Sequence, residues 1–358
     1  MKPKSYVIRA ICFLLVFGVC FFTAQEILKS NSNNTRRMNG LYAEDDNSLD
    51  VLYVGASQVE TFISPVQIYS QFGITGYDLC FDGTSIGLYK LLIEEAMQTQ
   101  NPKALVISLI VTDEPTNEQV RAVLDNMRWS TRKMNAIKEY GNDAFSTFVF
   151  PISYYHSRWK NISPALGYTY FMLTENKKYN AWDSYSLTDL YLKKIYPLKG
   201  FYTSDKAIDF NIVDSWKKTD KKVSPGDSYM KMLDELLDYL DDLECEVVFI
   251  NTPAPYANTS QNQMQINYAG DYLRQRGYTF IDYCDGFQEW GFDFSSDMGD
   301  KNHANIYGSI KFSNTIGEYL KTNLIKTIPE KSKETKENWD NALSAWNNCL
   351  KYYDADNQ

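Results

Sequence analysis

The sequence is poor in the residues that bind metals, and it lacks the motifs that bind nucleotides. Its 358 residues include only two histidines, His156 and His303, and six scattered cysteines. No Cys-x-x-Cys pair or His-rich cluster predicts a metal site. No P-loop, dinucleotide fingerprint or internal repeat is present. The sequence therefore predicts no metal and no cofactor, and it leaves two positions for a catalytic imidazole.

The chain also has fewer basic than acidic residues. The chain has 36 Lys and Arg residues against 45 Asp and Glu residues, for a net charge of −9. With no basic stripe to offset this repulsion, nucleic acid is excluded as a partner. The hydrophobic share of 44% is that of a globular protein. The chain is long enough for one sizeable core with an inserted segment.

Residues 1–28 contain the targeting segment. Basic residues precede an apolar run at 10–24, close to the roughly 20 residues that a membrane-spanning helix needs. The positive-inside rule then predicts a cytoplasmic tip, a single span and an outward-facing body in the cell membrane. A cleaved signal peptide is the alternative, but a cut after Ala24 would leave bulky Phe22 three positions back. The polar residues 29–48 are predicted to form a juxtamembrane stalk.

From residue 49 the pattern alternates short apolar strands with helices. This rhythm predicts an α/β fold with a doubly wound, five-stranded parallel sheet. The predicted domain covers residues 49–325, with a long insertion at 113–226 as a cap. A linker and a C-terminal helix at 326–358 follow. The predicted strands are 51–54, 76–81, 104–111, 245–250 and 278–283.

A serine follows the first predicted strand. The strand stops at Gly55, and Ser57 comes two residues later, before a helix start at Ser64 and Pro65. Ligands bind at this carboxyl edge in open α/β sheets. The alternative is an ordinary serine in a strand-to-helix loop.

An acidic residue and a histidine lie three apart near the other end of the domain. Asp300 and His303 precede a helical pattern, so the carboxylate can hold one ring nitrogen while the other faces outward. The alternative is a helix N-terminus that favours an acidic residue and happens to carry a histidine.

The order and spacing of these segments resemble the SGNH/GDSL hydrolase superfamily. The resemblance implies Ser57 as nucleophile, His303 as general base and Asp300 as its orienting partner. It also implies an oxyanion hole formed by the amides of Ser57 and Gly83. Two blocks depart from the family: the first reads Gly-Ala-Ser-Gln, and residues 109–113 lack the usual asparagine.

Within the superfamily, the chain is most similar to membrane-anchored proteins of bacterial envelope O-acylation. That similarity implies an SGNH/flavodoxin-like fold, a membrane-bound O-acyltransferase as partner and a cell-surface polysaccharide as acceptor. Three functions remain open: O-acyltransferase, carbohydrate esterase with water as acceptor, and catalytically inactive glycan-binding protein.

Four further residues are candidates for substrate binding. His156 and Arg158 lie in an aromatic cluster of the insertion, Thr112 follows the third strand and Thr252 follows the fourth. The alternatives are an ordinary packing motif for the first two and a rigid loop for Thr252. An apolar stripe in the C-terminal helix predicts packing against the domain.

Overall fold

The computed structural model of the chain describes residues 3–28, 33–141, 145–157, 196–203, 218–254 and 259–356. Its strands are β1 (Val51–Gly55), β2 (Gly76–Cys80), β3 (Ala104–Ser108), β4 (Glu246–Asn251) and β5 (Thr279–Asp282). Its α-helices, in chain order within these residues, are α1 (Pro3–Leu28), α2 (Asn33–Leu41), α3 (Ser57–Phe62), α4 (Pro65–Phe72), α5 (Tyr89–Ala96), α6 (Asn117–Leu124), α7 (Thr131–Tyr140), α8 (Phe145–Val149), α9 (Ile152–Tyr155), α10 (Asp227–Leu240), α11 (Ser260–Gln275), α12 (Phe294–Asp297), α13 (Ile306–Tyr319) and α14 (Lys333–Asp356). Short 3₁₀ segments lie at Ile86–Leu88 and Phe287–Trp290, and a π-helical turn lies at Leu320–Leu324.

The five strands form one sheet in the order β2-β1-β3-β4-β5, and every neighbouring pair is parallel. The predicted α/β class and five-stranded parallel sheet are confirmed. The chain winds from β1 outward to β2 and then back across to β3, so the order reverses between β1 and β3. In such sheets the crevice at this reversal, outside the carboxyl ends of the strands, is where ligands bind.

Both faces of the sheet are buried, which explains why the strands are apolar runs rather than alternating ones. Leu52 and Val54 of β1 belong to the core on one face, with residues from α2, α5, α10, α11 and α14. Val51 and Tyr53 belong to the core on the other face, with residues from α3, α4 and α13. The helix start predicted at Ser64 is present, since the Ser64 hydroxyl accepts a hydrogen bond from the Gln67 amide at 3.2 Å.

Helix α1 contains a segment, Tyr6–Gln25, with a mean hydropathy of 2.4, and all of its apolar side chains are exposed or half-buried. It is long and apolar enough to cross a membrane. Its exposed apolar side chains have no core to enter, which is typical of a helix that meets lipid.

The predicted stalk is wrong for most of its length. Met38 and Leu41 of α2 are fully buried in the domain core, and Arg37 is 1% exposed. Arg37 donates hydrogen bonds to the Cys80 carbonyl at 3.0 Å and the Gly200 carbonyl at 2.9 Å. The polar sequence of α2 concealed this role because the buried charge is satisfied by residues distant in the sequence.

Helices α6 to α9 lie in the 113–226 insertion, whose described residues at 196–203 and 218–226 form no helix or strand. Residues 117–140 form two helices, α6 and α7, because Ser130 caps a new start by accepting from the Lys133 amide at 3.1 Å. At the other end of the chain, α14 packs on α4. Its Trp346 is buried and donates to the Gln67 side chain at 2.9 Å.

Candidate active site

Ser57 is held at the carboxyl edge of β1 by a close-packed turn. A Cβ at Gly55 would lie 2.9 Å from the Ser108 Cβ and closer still to Val59, so only glycine fits there. The chain then passes Ala56 in an extended conformation and enters α3 at Ser57. The hydroxyl therefore projects from the first residue of a helix, next to the reversal in strand order.

His303 is presented by a tight turn before α13. The Gly299 amide donates to the His303 carbonyl at 2.8 Å, and a bridge joins Met298 to Ala304. Asn305 then caps α13 by accepting from the amides of Tyr307 and Gly308. These contacts hold the backbone on both sides of the imidazole and orient it toward β1.

Ser57, His303 and Asp300 form one chain of hydrogen bonds. His303 Nε2 lies 2.7 Å from Ser57 Oγ, across 246 positions of sequence. His303 Nδ1 lies 2.7 Å from Oδ2 and 2.9 Å from Oδ1 of Asp300. With its proton on Nδ1, the imidazole can accept the serine proton at Nε2, which is the geometry of a nucleophile and its base.

Asp300 is arranged to stay ionised. Its Oδ1 accepts hydrogen bonds from the Asn302 amide at 2.8 Å and the His303 amide at 3.0 Å. Partial burial by itself raises the pKa of Asp300, but the hydrogen bonds from these amides and the imidazole outweigh it and lower the pKa below its ordinary value. The carboxylate therefore remains a hydrogen-bond acceptor for His303 Nδ1 at neutral pH.

The two residues predicted to supply oxyanion donors, Ser57 and Gly83, both line the cleft. Ser57 is the first residue of α3, so its amide is one of those without a partner inside the helix. Gly83 lines the same cleft with a left-handed backbone, at φ 63°, and its carbonyl accepts from the Gln119 side chain. An oxyanion hole formed by the amides of Ser57 and Gly83 stays a prediction.

The cleft over Ser57 has a volume of about 220 Å³. Thr112 and Thr252 line it, as the sequence predicts for residues that follow β3 and β4. Thr112 is fixed by Ser85, whose hydroxyl lies 3.1 Å from Thr112 Oγ1. The two threonines are therefore close enough to touch a bound substrate, although their role in binding stays a prediction.

Sequence reasoning missed other residues that line this cleft. They include Gln58, Asn251 and Asn262. Asn251 ends β4 and donates to Asp282 at 2.8 Å, and Asn262 lies in the first turn of α11. The signal for Asn251 was its place at the carboxyl end of a predicted strand. Asn262 carried no local signal, because only the packing of α11 brings it to the edge.

Of the other two candidates, His156 is not part of this constellation. His156 follows α9, is exposed and places its Nδ1 2.7 Å from the carbonyl of Ser153. It is absent from the described residues that line the cleft. Arg158 lies outside the residues that the structure describes. A substrate-binding role for either residue stays a prediction.

A second polar cleft, of about 290 Å³, lies beside β5. Its charged side chains are largely paired with one another, as in the ion pairs Lys218–Asp285 and Lys222–Asp271. Such paired charges leave little unsatisfied potential for a ligand, so the Ser57 cleft is the stronger site. Within the described ranges, no group of three or more His, Cys, Asp or Glu side chains could hold a metal ion.

Comparisons with protein-family models and with curated proteins return no match to this chain.

Proposed function

We propose that this protein is an extracytoplasmic O-acyltransferase of the SGNH type that modifies a cell-surface polysaccharide through an acyl-Ser57 intermediate. The observation that carries the proposal is the hydrogen-bonded chain from Ser57 Oγ through His303 to Asp300. A serine hydroxyl is a weak nucleophile, and an adjacent oriented imidazole is how proteins activate it.

In the first step Ser57 Oγ attacks the carbonyl carbon of an acyl donor and His303 Nε2 takes the hydroxyl proton. Asp300 stabilises the imidazolium that results. The amides of Ser57 and Gly83 stabilise the oxyanion, and such a donor is typically worth about 3 kcal/mol. Collapse of the intermediate breaks the bond to the leaving group, which receives the proton from His303. The acyl group remains as an ester on Ser57.

In the second step a sugar hydroxyl attacks this ester while His303 accepts its proton. A new ester forms on the polysaccharide and the Ser57 hydroxyl is regenerated. The cleft of about 220 Å³ has threonine and asparagine side chains that suit a polyhydroxyl acceptor. No metal or cofactor enters either step.

Carbohydrate esterase is the second candidate, and one observation favours it. The His303 side chain is 30% exposed and that of Asp300 52%, so water can reach the imidazole. Water as the acceptor would complete the same cycle as a hydrolysis. The membrane-spanning character of α1 favours the transferase, since a hydrolase gains less from being held at a membrane.

The proposal includes a membrane topology and a partner. The basic N-terminal tip lies in the cytoplasm, α1 crosses the cell membrane once and the α/β domain faces outward. A membrane-bound O-acyltransferase would deliver the acyl group across the bilayer to Ser57.

Whether surface O-acylation falls or rises when the gene is deleted tests the proposal. Deleting the gene should lower O-acylation of a surface polysaccharide. The wild-type gene and the control Ser70→Ala, which removes an exposed hydroxyl on α4, should restore it. Ser57→Ala should not. An increase on deletion would contradict the transferase and favour the esterase, and restoration by Ser57→Ala would contradict both enzymes.

The purified full-length protein offers a second distinction. An esterase should hydrolyse a small activated ester at about 1 per second or faster. A transferase that receives its acyl group from a membrane partner should release acyl groups to water only slowly.

A further inference from the structure

Residues 145–155, which include α8 and α9, carry an unusual aromatic surface. The stretch reads FSTFVFPISYY and contains no charged residue. Phe150 is 51% exposed, Tyr154 46% and Phe145 38%, whereas Phe148 is fully buried. The three exposed rings therefore face outward, whereas Phe148 packs into the domain and holds the segment in place. Such a surface needs an apolar partner.

This segment continues the apolar surface of α1. The rings of Phe150 and Phe21 make an edge contact with their centroids 6.4 Å apart. The Ile152 amide lies 3.5 Å from the side-chain oxygen of Gln25, where the apolar span Tyr6–Gln25 ends. Phe21 and Gln25 are one helical turn apart, about 6 Å along the axis. The segment thus lies beside the last turn of the span, at the depth of the boundary between acyl chains and headgroups.

The same end of α1 is connected to the edge of the sheet that carries Ser57. Asn34 accepts a hydrogen bond from the Asp82 amide at 3.2 Å, one residue before Gly83. Leu28, the end of α1, and Asn34 are six positions apart, so the chain between them reaches at most about 20 Å. The end of α1 therefore lies within about 20 Å of Asn34, which contacts the carboxyl edge of the strands.

A second route of contacts leads to the same edge. Gln119 of α6 holds the Gly83 carbonyl. Two residues later, the guanidinium of Arg121 lies 3.8 Å from the ring centroid of Tyr154 and donates to Thr147. The aromatic segment is thus packed, through α6, on the rim of the Ser57 cleft. Because two independent connections agree, the orientation does not depend on α1 alone.

We propose that residues 145–155 are an interfacial segment that inserts Phe145, Phe150 and Tyr154 into the outer boundary of the bilayer that α1 crosses, and so holds the Ser57 edge of the sheet toward the membrane. The occupant is lipid because the segment is continuous with the span and carries no charge. Aromatic side chains with one apolar and one polar end, such as Tyr154, favour this zone. The proposal rests on α1 as a membrane span and is independent of the acyl chemistry.

Lipid contact at Phe150 can be measured with a fluorophore on a single accessible cysteine. The full chain carries Phe150→Cys after replacement of the accessible thiols by Cys12→Ser, Cys20→Ser and Cys245→Ser. It is labelled and reconstituted in phosphatidylcholine vesicles with or without nitroxide-labelled lipid. The matched control is Val223→Cys, a position that is 47% exposed.

The label at 150 should be quenched about twofold or more by the nitroxide lipid, and the label at 223 should not. Equal quenching at both positions would overturn the proposal. These vesicles contain no other protein. If the segment binds a protein partner instead of lipid, the label at 150 should therefore not be quenched, and that result would also contradict the proposal.

Energy transfer to a lipid acceptor tests the orientation of the domain. Donors are placed by Glu118→Cys, beside Gln119 on the rim of the cleft, or by Asn101→Cys, which precedes β3 at the opposite edge. A strand of five residues separates the two edges by about 17 Å. Transfer should be greater from position 118. Equal transfer, or greater transfer from 101, would overturn the membrane-facing orientation.

Discussion

At the scale of single residues, the candidate site depends on a carboxylate that orients an imidazole. We expect Asp300→Asn to slow the reaction of Ser57 with a serine-directed fluorophosphonate by roughly 10²- to 10⁴-fold, because the amide no longer holds the Nδ1 proton of His303. The measurement is the rate of covalent labelling of the detergent-solubilised protein. The control is Asp285→Asn, because that carboxylate is 59% exposed and lies in the cleft beside β5. Labelling of Asp300→Asn at the wild-type rate would remove Asp300 from the mechanism.

A second residue, Asp78 of β2, makes stability depend on pH. It is fully buried, and neither carboxylate oxygen has a hydrogen-bond partner among the described residues. Burial raises the pKa of Asp78 well above its ordinary value. Arg37 lowers this pKa by a smaller amount, and Glu60 raises it further. The folded state therefore keeps a proton that the unfolded chain releases above about pH 4. The stability that this proton contributes is lost as pH rises toward the folded-state pKa.

Asp78→Asn removes that titration. The unfolding free energy of the variant relative to wild type should increase with pH, by up to about 1.4 kcal/mol per pH unit. Urea unfolding in detergent at pH 5 and pH 8 measures the difference. A difference that stays constant between the two pH values would show that Asp78 is not protonated in the fold.

At the scale of elements, α2 is joined to α3, the helix that begins at Ser57, by a buried ion pair between Arg37 and Glu60. Burial raises the pKa of Glu60 to about 7 while Arg37 opposes the rise, so the pair is mostly ionised at pH 8. There, Arg37→Met should cost about 3–5 kcal/mol, since it leaves Glu60 charged and buried. Adding Glu60→Gln should recover part of that loss.

A control at an exposed pair, Arg274→Met, should cost about 1 kcal/mol or less. If the double variant is no more stable than Arg37→Met alone, the two side chains are not coupled.

At the scale of the whole molecule, the apolar helix α1 is either an uncleaved membrane anchor or a cleaved signal peptide. If it is an uncleaved anchor, we expect the protein to stay in the membrane fraction with its Met1 region intact. The reason is that a span of this hydropathy is stable in a bilayer, and bulky Phe22 disfavours a cut after Ala24. N-terminal sequencing of the mature protein from cells makes the measurement. A protein that begins near Gln25 and is recovered from the medium would contradict the anchor.

Much of the fold was predictable because its signals are local. Strands β1 and β3 are short apolar runs that are buried throughout, so they can be recognised without tertiary information. The helix start at Ser64 is equally local. Segments whose burial depends on distant partners were mispredicted. The polar sequence of α2 resembles a stalk, yet Arg37 is buried against the carbonyls of Cys80 and Gly200.

Local sequence is enough to place a serine just after the first strand and to place Asp300 and His303 three residues apart. These are properties of neighbouring residues. The packing of the whole chain was needed to bring His303 Nε2 to 2.7 Å from Ser57 Oγ and to line the same cleft with Asn251 and Asn262. It also placed the aromatic segment beside α1 and left His156 outside the described lining of the cleft. Distances across hundreds of residues depend on strand order and helix packing, which no local pattern encodes.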